Sequence, residues 1–200
     1  MTSDGSLEIR PPRQQRSREA WGRVLDAGVA LLEEGGYEAF TIAAVCERAG
    51  VPPRALYARA DNKDALFLAV YEHGIARVRA DHDILDAARW RGLPPERLVA
   101  EVVRATAGIF ARHAAFLRAV VLISGVHAEV YRRGAAYSTE LGERFTRLLL
   151  GAGIGPETAV RTAFTAVFST LVLRTAYGPT FAGPAVDEDG LTEMVSRYLV

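Results

Sequence analysis

The sequence predicts an all-α protein, and three observations support this fold class. Past Leu66 the apolar residues keep the period of an α-helix, and the strict alternation of a half-buried strand is absent. Glycine and proline pairs interrupt the pattern where helices are expected to begin or end, at Gly35-Gly36, Pro94-Pro95 and Gly178-Pro179. Half of the 200 residues are hydrophobic, which is enough to bury a sizeable core. We therefore expect about nine helices.

The later helices are placed by the same two signals, the apolar period and the helix breakers. We expect helices over residues 63–81, 95–112, 113–124, 128–150, 158–177 and 191–199. Residues 83–92 are expected to form a looser segment, and residues 180–186 a loop rich in proline and glycine.

Residues 40–63 have the pattern of a helix-turn-helix, two short helices joined by a tight turn. Thr41 supplies a hydroxyl N-cap for the first helix. Apolar side chains then recur on one face of that helix, at Ile42, Val45 and Ala49. Gly50 follows where the chain must turn, because a residue without Cβ adopts the required backbone conformation most easily.

The second helix of this motif begins at Pro52 and Pro53. Proline is tolerated there because the first amides of a helix have no intrahelical acceptor. Leu56 is expected to hold the helix against the core. The other side chains would then face the major groove of DNA and its phosphates, at Arg54, Ala55 and Tyr57. An ordinary helical corner inside an all-α protein is the alternative interpretation.

The motif and its flanks resemble the tetracycline-repressor (TetR) family of transcription factors over residues 17–70. The resemblance consists of several pieces in a fixed order and spacing. They are a helix with Val24, Leu25, Ala27, Leu31 and Leu32, then Gly35-Gly36-Tyr37, Thr41, Ala49-Gly50-Val51, Leu56-Tyr57, and Lys63 followed by Leu66. Two positions depart from the family's pattern. Ala60 stands where an aromatic residue is common, and Pro52-Pro53 stands where serine or threonine often begins the recognition helix.

The resemblance implies a ligand-responsive transcriptional regulator, most often a repressor, with a small-molecule effector. It implies a homodimer that binds a palindromic double-stranded DNA operator. On this basis we expect a disordered tail over residues 1–8, a helix-turn-helix domain with a basic arm over residues 9–62, and a domain for ligand binding and dimerisation over residues 63–200. The alternative is a helical small-molecule-binding or adaptor protein that keeps the fold without specific DNA binding.

The net charge of the chain is zero, so a DNA-binding surface must come from the local distribution of charge. Arginines cluster in an arm just before the first helix, at Arg10, Arg13, Arg16 and Arg18. Arms that precede a helix-turn-helix reach the minor groove or nearby phosphates, whereas a solvated polar tail is the alternative. The predicted DNA-binding residues are Arg10, Arg13, Arg16, Thr41, Pro53, Arg54, Ala55, Tyr57, Arg59 and Lys63.

Composition also limits where the protein acts. No uninterrupted apolar run reaches the roughly 18 residues of a membrane span. Residues 1–16 lack the apolar core of a signal peptide. The single cysteine, Cys46, permits no intramolecular disulfide. It lies in the first helix of the motif, and its side chain is expected to pack in the core. These features predict a cytoplasmic protein without a membrane partner.

The sequence does not favour an enzyme or a metal site. Ser124 and His127 are three residues apart, but Gly125 lies between them and no orienting acid is evident. His73 and His82 are nine residues apart, which does not fit the i,i+4 spacing of a helical metal-binding pair. All four histidines are expected at the surface or at the rim of a pocket. No catalytic residue, metal or cofactor is predicted.

Residues 158–177 form the most informative helix after the motif. Apolar residues cover most of its circumference, so the helix must be covered on several sides. Small side chains share a second face that would let a partner helix approach closely, at Thr162, Thr165, Ala166 and Ser169. We expect this face at the dimer interface, because the resemblance implies that the last two long helices pair into a four-helix interface. Burial within its own subunit is the alternative.

Aromatic residues after residue 63 are candidates for the wall of a small-molecule pocket, which is usually apolar with a few placed polar groups. The predicted lining residues are Phe110, His113, Phe116, Tyr131, Phe145, Phe164 and Phe168. We expect polar contacts from His113, Arg118 or Arg174. A plain packed core is the alternative for each aromatic residue, and the sequence does not identify the effector.

Overall fold

The computed structural model describes residues 15–184 and 187–200, and over these residues the fold is all-α, as the sequence predicts. The helices are α1 Gln15–Ala39, α2 Ile42–Ala49, α3 Pro53–Tyr57, α4 Lys63–Ala80, α5 Pro95–Arg112, α6 Ala114–Ser124, α7 Ala128–Gly151, α8 Glu157–Tyr177 and α9 Glu188–Leu199. Two turns of 3₁₀-helix, Asp81–Leu85 and Ala87–Trp90, connect α4 to α5, where the sequence predicts a looser segment. We call α1, α2 and α3 the head and α5 to α9 the body, with α4 between them.

Two helix ends show how local chemistry sets the bounds. Within α1 the backbone leaves the helical region at Gly36 (φ 65°, ψ −160°), where the glycine pair predicts the end of the helix. α9 begins at Glu188 rather than at the predicted Leu191. The reason is a cap, because the Asp187 carboxylate accepts a hydrogen bond from the Gly190 amide (2.7 Å) and so stabilises an earlier first turn.

The helices of the head share a core with the first turns of α4. Buried side chains from all four helices contribute to it, namely Val24, Leu32, Val45, Leu56, Leu66 and Val70. α1 and α4 approach most closely at Gly28, where an added Cβ would lie 2.9 Å from Cγ1 of Val70 and still closer to its Cγ2. Only glycine fits at this crossing, so Gly28 sets the distance between the two helices.

The body packs around three helix pairs, α5 with α9, α7 with α8, and α6 with α8. α6 also contacts α1, so the body and the head meet directly. A second close approach occurs where α4 crosses α6, because an added Cβ at Gly74 would overlap the Phe116 ring. The division between residues 62 and 63 stays a prediction, since α4 packs on α1 of the head and also contacts the 3₁₀-helix Asp81–Leu85.

Ion pairs fasten α4 to α7. Arg79 of α4 donates to Glu140 of α7 (2.9 Å), and Glu72 of α4 pairs with Arg133 of α7. Arg133 also contacts Glu129 one turn earlier (2.6 Å), and its side chain is only 13% exposed. Because Arg133 is largely buried and contacts two carboxylates, this pair is less screened by salt than an exposed one.

None of the individual helices in the described ranges has the length and apolar composition needed to cross a membrane. α5 and α6 satisfy that test only as a pair, and they are bent by 83° at the break between them.

Two glycines of α1 give a matched test of this packing. Gly28→Ala should lower the free energy of unfolding by about 1–2 kcal/mol, because the new methyl group overlaps the stiff, buried Val70. Gly22→Ala meets no atom within 4 Å and should raise the stability by up to about 1 kcal/mol through helix propensity. Urea unfolding followed by circular dichroism measures both. Equal stability of the two variants would contradict a tight crossing at Gly28.

Candidate nucleic-acid interface and body cavity

The ends of α2 are fixed by short-range contacts. Thr41 accepts a hydrogen bond from the Ala44 amide through Oγ1 (3.1 Å), which satisfies one free amide of the first turn. Gly50 ends the helix at φ 63° and ψ 38°, in the left-handed region that favours glycine. The Val51 amide then donates to the Cys46 carbonyl (3.0 Å). The direction in which the chain enters α3 is therefore set within a few residues.

α3 has only five residues and depends on one buried side chain. Leu56 is 1% exposed and lies in the core of the head. Pro53, Arg54 and Ala55 are exposed, and Tyr57 is 49% exposed. The structure thus brings four predicted DNA-binding residues together on the outer surface of one anchored helix.

Arg59 differs from the exposed residues of α3 because its side chain contacts α1. Its guanidinium donates to Ser17 Oγ in the first turn of α1, and the side chain is half-buried. Ala55 and Trp21 line the same small cavity between α1 and α3, whose volume is about 180 Å³. Arg59 therefore ties the end of α3 to the start of α1. Ser17 and Arg59 are 42 positions apart, and no sequence pattern pairs them.

Asn62 and Tyr37 fix the position of Lys63, although neither is among the predicted DNA-binding residues. Asn62 caps α4 by accepting a hydrogen bond from the Ala65 amide (2.8 Å), so Lys63 is the first residue of that helix. The Lys63 ammonium lies 4.1 Å from the centre of the Tyr37 ring, which is the geometry of a cation–π contact. The Tyr37 hydroxyl lies 3.5 Å from Asp64. An asparagine directly before a helix was the signal that could have identified the cap.

The basic arm is described only in part. Arg16 lies in the first turn of α1, is exposed, and is the neighbour of Ser17. Arg10 and Arg13 lie outside the described residues. Arg16 therefore directly precedes Ser17, the residue of α1 to which Arg59 donates a hydrogen bond.

The body contains a cavity of about 320 Å³ between α4, α5, α6, α7 and α8. Phe110, Tyr131 and Phe168 of the predicted set line it. The wall also includes residues that the sequence analysis did not select, among them Tyr71, Ser124, Gly134, Tyr137 and Ser138. These come from three helices, and no local pattern in the sequence marks them as neighbours.

The other predicted pocket residues lie elsewhere. His113 contacts the Asp81 carboxylate through Nε2 (3.0 Å). Phe116 packs against Gly74 at the crossing of α6 and α4. The rings of Phe145 and Phe164 are 5.5 Å apart, in the core between α7 and α8. Arg118 and Arg174 do not line the cavity either.

The predicted dimer face of α8 is open in the single chain. Thr162, Thr165 and Ser169 are exposed, and Ala166 is half-buried at the edge of the same face. The hydroxyls of Thr162 and Thr165 donate to the carbonyls one turn earlier in the helix (2.8 and 2.9 Å). Their polar hydrogens are therefore already paired within α8.

One histidine differs from its predicted place. His82 is 1% exposed, so the expectation of a surface or rim position is wrong for it. Its Nε2 lies 3.2 Å from the Tyr137 hydroxyl, and its Nδ1 lies 3.5 Å from the Glu140 carboxylate. Burial lowers the pKa of His82, so the imidazole is held mainly neutral at pH 7.

The side chains considered for catalysis or metal binding do not converge. Ser124 Oγ donates to the Val121 carbonyl (2.6 Å), while His127 Nδ1 accepts from the Val130 amide (3.4 Å) at the start of α7. Among residues 15–184 and 187–200, no three His, Cys, Asp or Glu side chains are grouped so that they could hold a metal ion.

One sequence comparison matches the part of the chain that carries the helix-turn-helix, and a second finds a curated relative. The family model described as "Bacterial regulatory proteins, tetR family" matches residues 24–70. The chain is similar to the HTH-type transcriptional repressor KstR of Mycolicibacterium smegmatis, with 37% identity over 98 residues. That alignment covers 49% of this chain and 47% of KstR, so the likeness spans about half the length of the relative.

Solved structures share the fold over nearly the whole chain. A TetR-family member from Streptomyces coelicolor A3 superimposes with a TM-score of 0.65 at 16% identity, covering 91% of this chain and 99% of that one. PfmR from Thermus thermophilus, a TetR-family transcriptional regulator, has a TM-score of 0.61 at 20% identity and coverages of 88% and 97%. A transcriptional regulator from Rhodococcus sp. Rha1 has a TM-score of 0.64 at 19% identity, with coverages of 88% and 92%.

Sequence and structure agree on one assignment. The matched residues 24–70 include all of α2 and α3, the Gly50 turn and the start of α4, which carry the geometry described above. The solved relatives extend the likeness of fold through the body. Residues 24–70 therefore match the TetR family of bacterial regulatory proteins, and the whole chain shares the fold of solved TetR-family structures.

Proposed function

We propose that this protein is a ligand-responsive transcriptional repressor that binds a palindromic DNA operator as a homodimer in the cytoplasm. The observation that carries the proposal is the surface of α3, where Leu56 holds the helix to the core and its neighbours are exposed. A helix held in this way can enter the major groove without unfolding the head. The relative KstR is a transcriptional repressor, which supports repression as the direction of regulation.

Specific contacts would come from α3. Arg54 is the one long cationic side chain within α3, and an arginine can donate two hydrogen bonds to one guanine. Ala55 and Tyr57 would contact base edges and phosphates beside it. Thr41 at the start of α2 and Lys63 at the start of α4 would contact the backbone, where helix N-termini favour phosphate.

Dimerisation through α8 follows from the chemistry of its exposed face. Thr162 and Thr165 pair their hydroxyls within the helix, so this face can be buried against a partner without leaving donors unsatisfied. Ser169 adds a third small side chain, which lets two helices approach closely. A two-fold axis here would place two heads to read two half-sites about one DNA turn, or about 34 Å, apart.

A contact between the cavity and the head supports ligand response. Val130 lines the cavity, and its amide donates to His127. The His127 ring lies 5.5 Å from the Phe67 ring of α4, and Phe67 lies 4.8 Å from Tyr37, which holds Lys63. A ligand that favours one position of α7 would therefore shift the positions of α4 and of the head. A differential affinity of about 1–3 kcal/mol is enough for regulation of this kind.

The first prediction concerns Arg54. Arg54→Ala should weaken binding to the operator by about 1–3 kcal/mol and relax the preference at one base pair per half-site, because the bidentate hydrogen bonds to guanine can no longer form. Electrophoretic mobility shifts on the DNA upstream of the protein's own gene measure this. Arg77→Ala, which also removes an exposed arginine but from α4 far from Lys63, is the matched control and should bind normally. Equal effects of the two variants would show that α3 is not the reading surface.

The second prediction separates phosphate contacts from base contacts. Replacing Arg10, Arg13 and Arg16 by alanine should weaken binding to every DNA sequence, because the arm contributes mainly electrostatic contacts. The slope of log K against log salt concentration should fall by about 0.9 for each phosphate that the variant no longer neutralises. Fluorescence anisotropy over a series of salt concentrations measures the slope. An unchanged slope would mean that the arm does not touch DNA.

The third prediction concerns the dimer. Ser169→Glu should convert the protein to monomers and abolish tight operator binding, since two carboxylates would be buried near the two-fold axis without partners. The side chain is exposed within its own subunit, so the fold should survive. Ala111→Glu, the same charge on an exposed position of α5, should remain dimeric. Sedimentation velocity measures the oligomeric state of both variants. If Ser169→Glu remained dimeric, the interface would not be this face of α8.

A further inference from the structure

We propose that the body cavity binds an uncharged, mainly apolar molecule that carries one hydroxyl or carbonyl oxygen for Tyr71. This inference rests on the proposed function, because it names the class of ligand for the same regulator. Three observations support it, namely the composition of the cavity wall, the pairing of two neighbouring charges, and the position of the Tyr71 hydroxyl in the wall.

The cavity wall has no carboxylate, lysine, arginine or histidine among the described residues. Its polar side chains are hydroxyls only, from Tyr71, Ser124, Tyr131, Tyr137 and Ser138, and the rest of the wall is apolar. A charged ligand buried here would lose its hydration without gaining a counter-ion, which is far more costly than burying a neutral one. The wall therefore selects against carboxylates and ammonium groups.

Two residues of opposite charge stand next to lining residues on the facing helices α4 and α7. Glu72 follows Tyr71, and Arg133 precedes Gly134, but these two side chains pair with each other between α4 and α7. His82 lies behind Tyr137 and contacts its hydroxyl (3.2 Å). Because burial lowers the pKa of His82, it supplies no cation for an anionic ligand at pH 7.

Tyr71 provides the polar contact. Its side chain is 1% exposed and lines the cavity, and it makes no hydrogen bond within the described residues that would compete with a ligand. By contrast, the Tyr137 hydroxyl is paired with His82, and Ser124 Oγ donates to the Val121 carbonyl. Burial raises the pKa of Tyr71 to about 12, so the group remains a neutral phenol that can donate or accept. As the most buried of the cavity hydroxyls that form no hydrogen bond within the described residues, Tyr71 is the one we assign to the polar group of the ligand.

The volume limits the size of the ligand. At about 320 Å³ the cavity lies at the lower end of the usual range for ligand sites, roughly 300–1,000 Å³. It suits one compact molecule of a few rings better than a large cofactor. Biphenyl derivatives are therefore suitable probes, because one skeleton can carry a neutral, an acidic or a basic group.

The test measures binding of four probes to the full chain by isothermal titration calorimetry at pH 7. The probes are 4-phenylphenol, biphenyl, 4-phenylbenzoate and 4-phenylbenzylammonium. We expect 4-phenylphenol to bind with one site per subunit, and both charged probes to bind at least tenfold more weakly. Absence of 4-phenylphenol binding, or binding of either charged probe within tenfold of it, overturns the proposal.

Variants test the site and the polar contact. Gly134→Leu should abolish binding, because an added Cβ there meets nothing within 4 Å and the side chain would occupy the cavity. Gly151→Leu, at the far end of α7 and equally free of contacts, is the matched control and should bind as the unchanged protein does. Tyr71→Phe should weaken 4-phenylphenol by about three- to tenfold, as expected for one hydrogen bond, and leave biphenyl unchanged.

Two further outcomes would overturn the inference. Normal binding to Gly134→Leu would put the ligand outside the cavity, and equal loss of both probes in Tyr71→Phe would make Tyr71 a packing residue only. Operator binding without any probe tests the proposed function separately. A protein that binds DNA but not 4-phenylphenol would refute this inference alone, whereas one that binds 4-phenylphenol but no DNA would refute the proposed function.

Discussion

The candidate DNA-binding surface depends on how a helix of five residues is kept in place. Such a helix has no stability of its own in water, because its nucleation cost exceeds the few hydrogen bonds that it forms. In this protein α3 is held by burial of Leu56, by the Gly50 turn before it and by the contact between Arg59 and Ser17 after it. The candidate DNA-binding surface is thus the outer side of a helix whose position depends on these contacts.

These attachments pass on to α1 and then to α4. α1 contacts α2, α4 and α6, so the same helix carries the recognition element and touches the body. The crossing at Gly28 and Val70 leaves no room for adjustment between α1 and α4. In the proposed mechanism, a movement of α4 would be passed to the head through this contact. The ion pairs of Glu72 and Arg79 connect α4 to α7, which lines the cavity.

What could be predicted from the sequence is what depends on neighbouring residues in the chain. The Thr41 cap and the Gly50 turn are local, and the structure confirms that they bound α2. The roles of the predicted site residues stay predictions, but Leu56 is buried as the sequence predicts. Contacts between distant segments could not be predicted in this way. Arg59 with Ser17 and Lys63 over Tyr37 arise only once the helices are packed. The residues of the cavity wall are harder still to predict, because the sequence spacing of an aromatic residue does not show whether it lines a cavity or packs in the core. Phe110 lines the cavity, whereas Phe145 packs against Phe164.

Lys63 has a consequence for chemistry in solution. It is the only lysine in the sequence, and every other basic side chain apart from the histidines is an arginine. Its ammonium lies over the Tyr37 ring at the surface of the head, at the N-terminus of α4. Reagents or enzymes that acylate lysine therefore have a single side-chain target, and reaction there removes a positive charge from the proposed DNA contact.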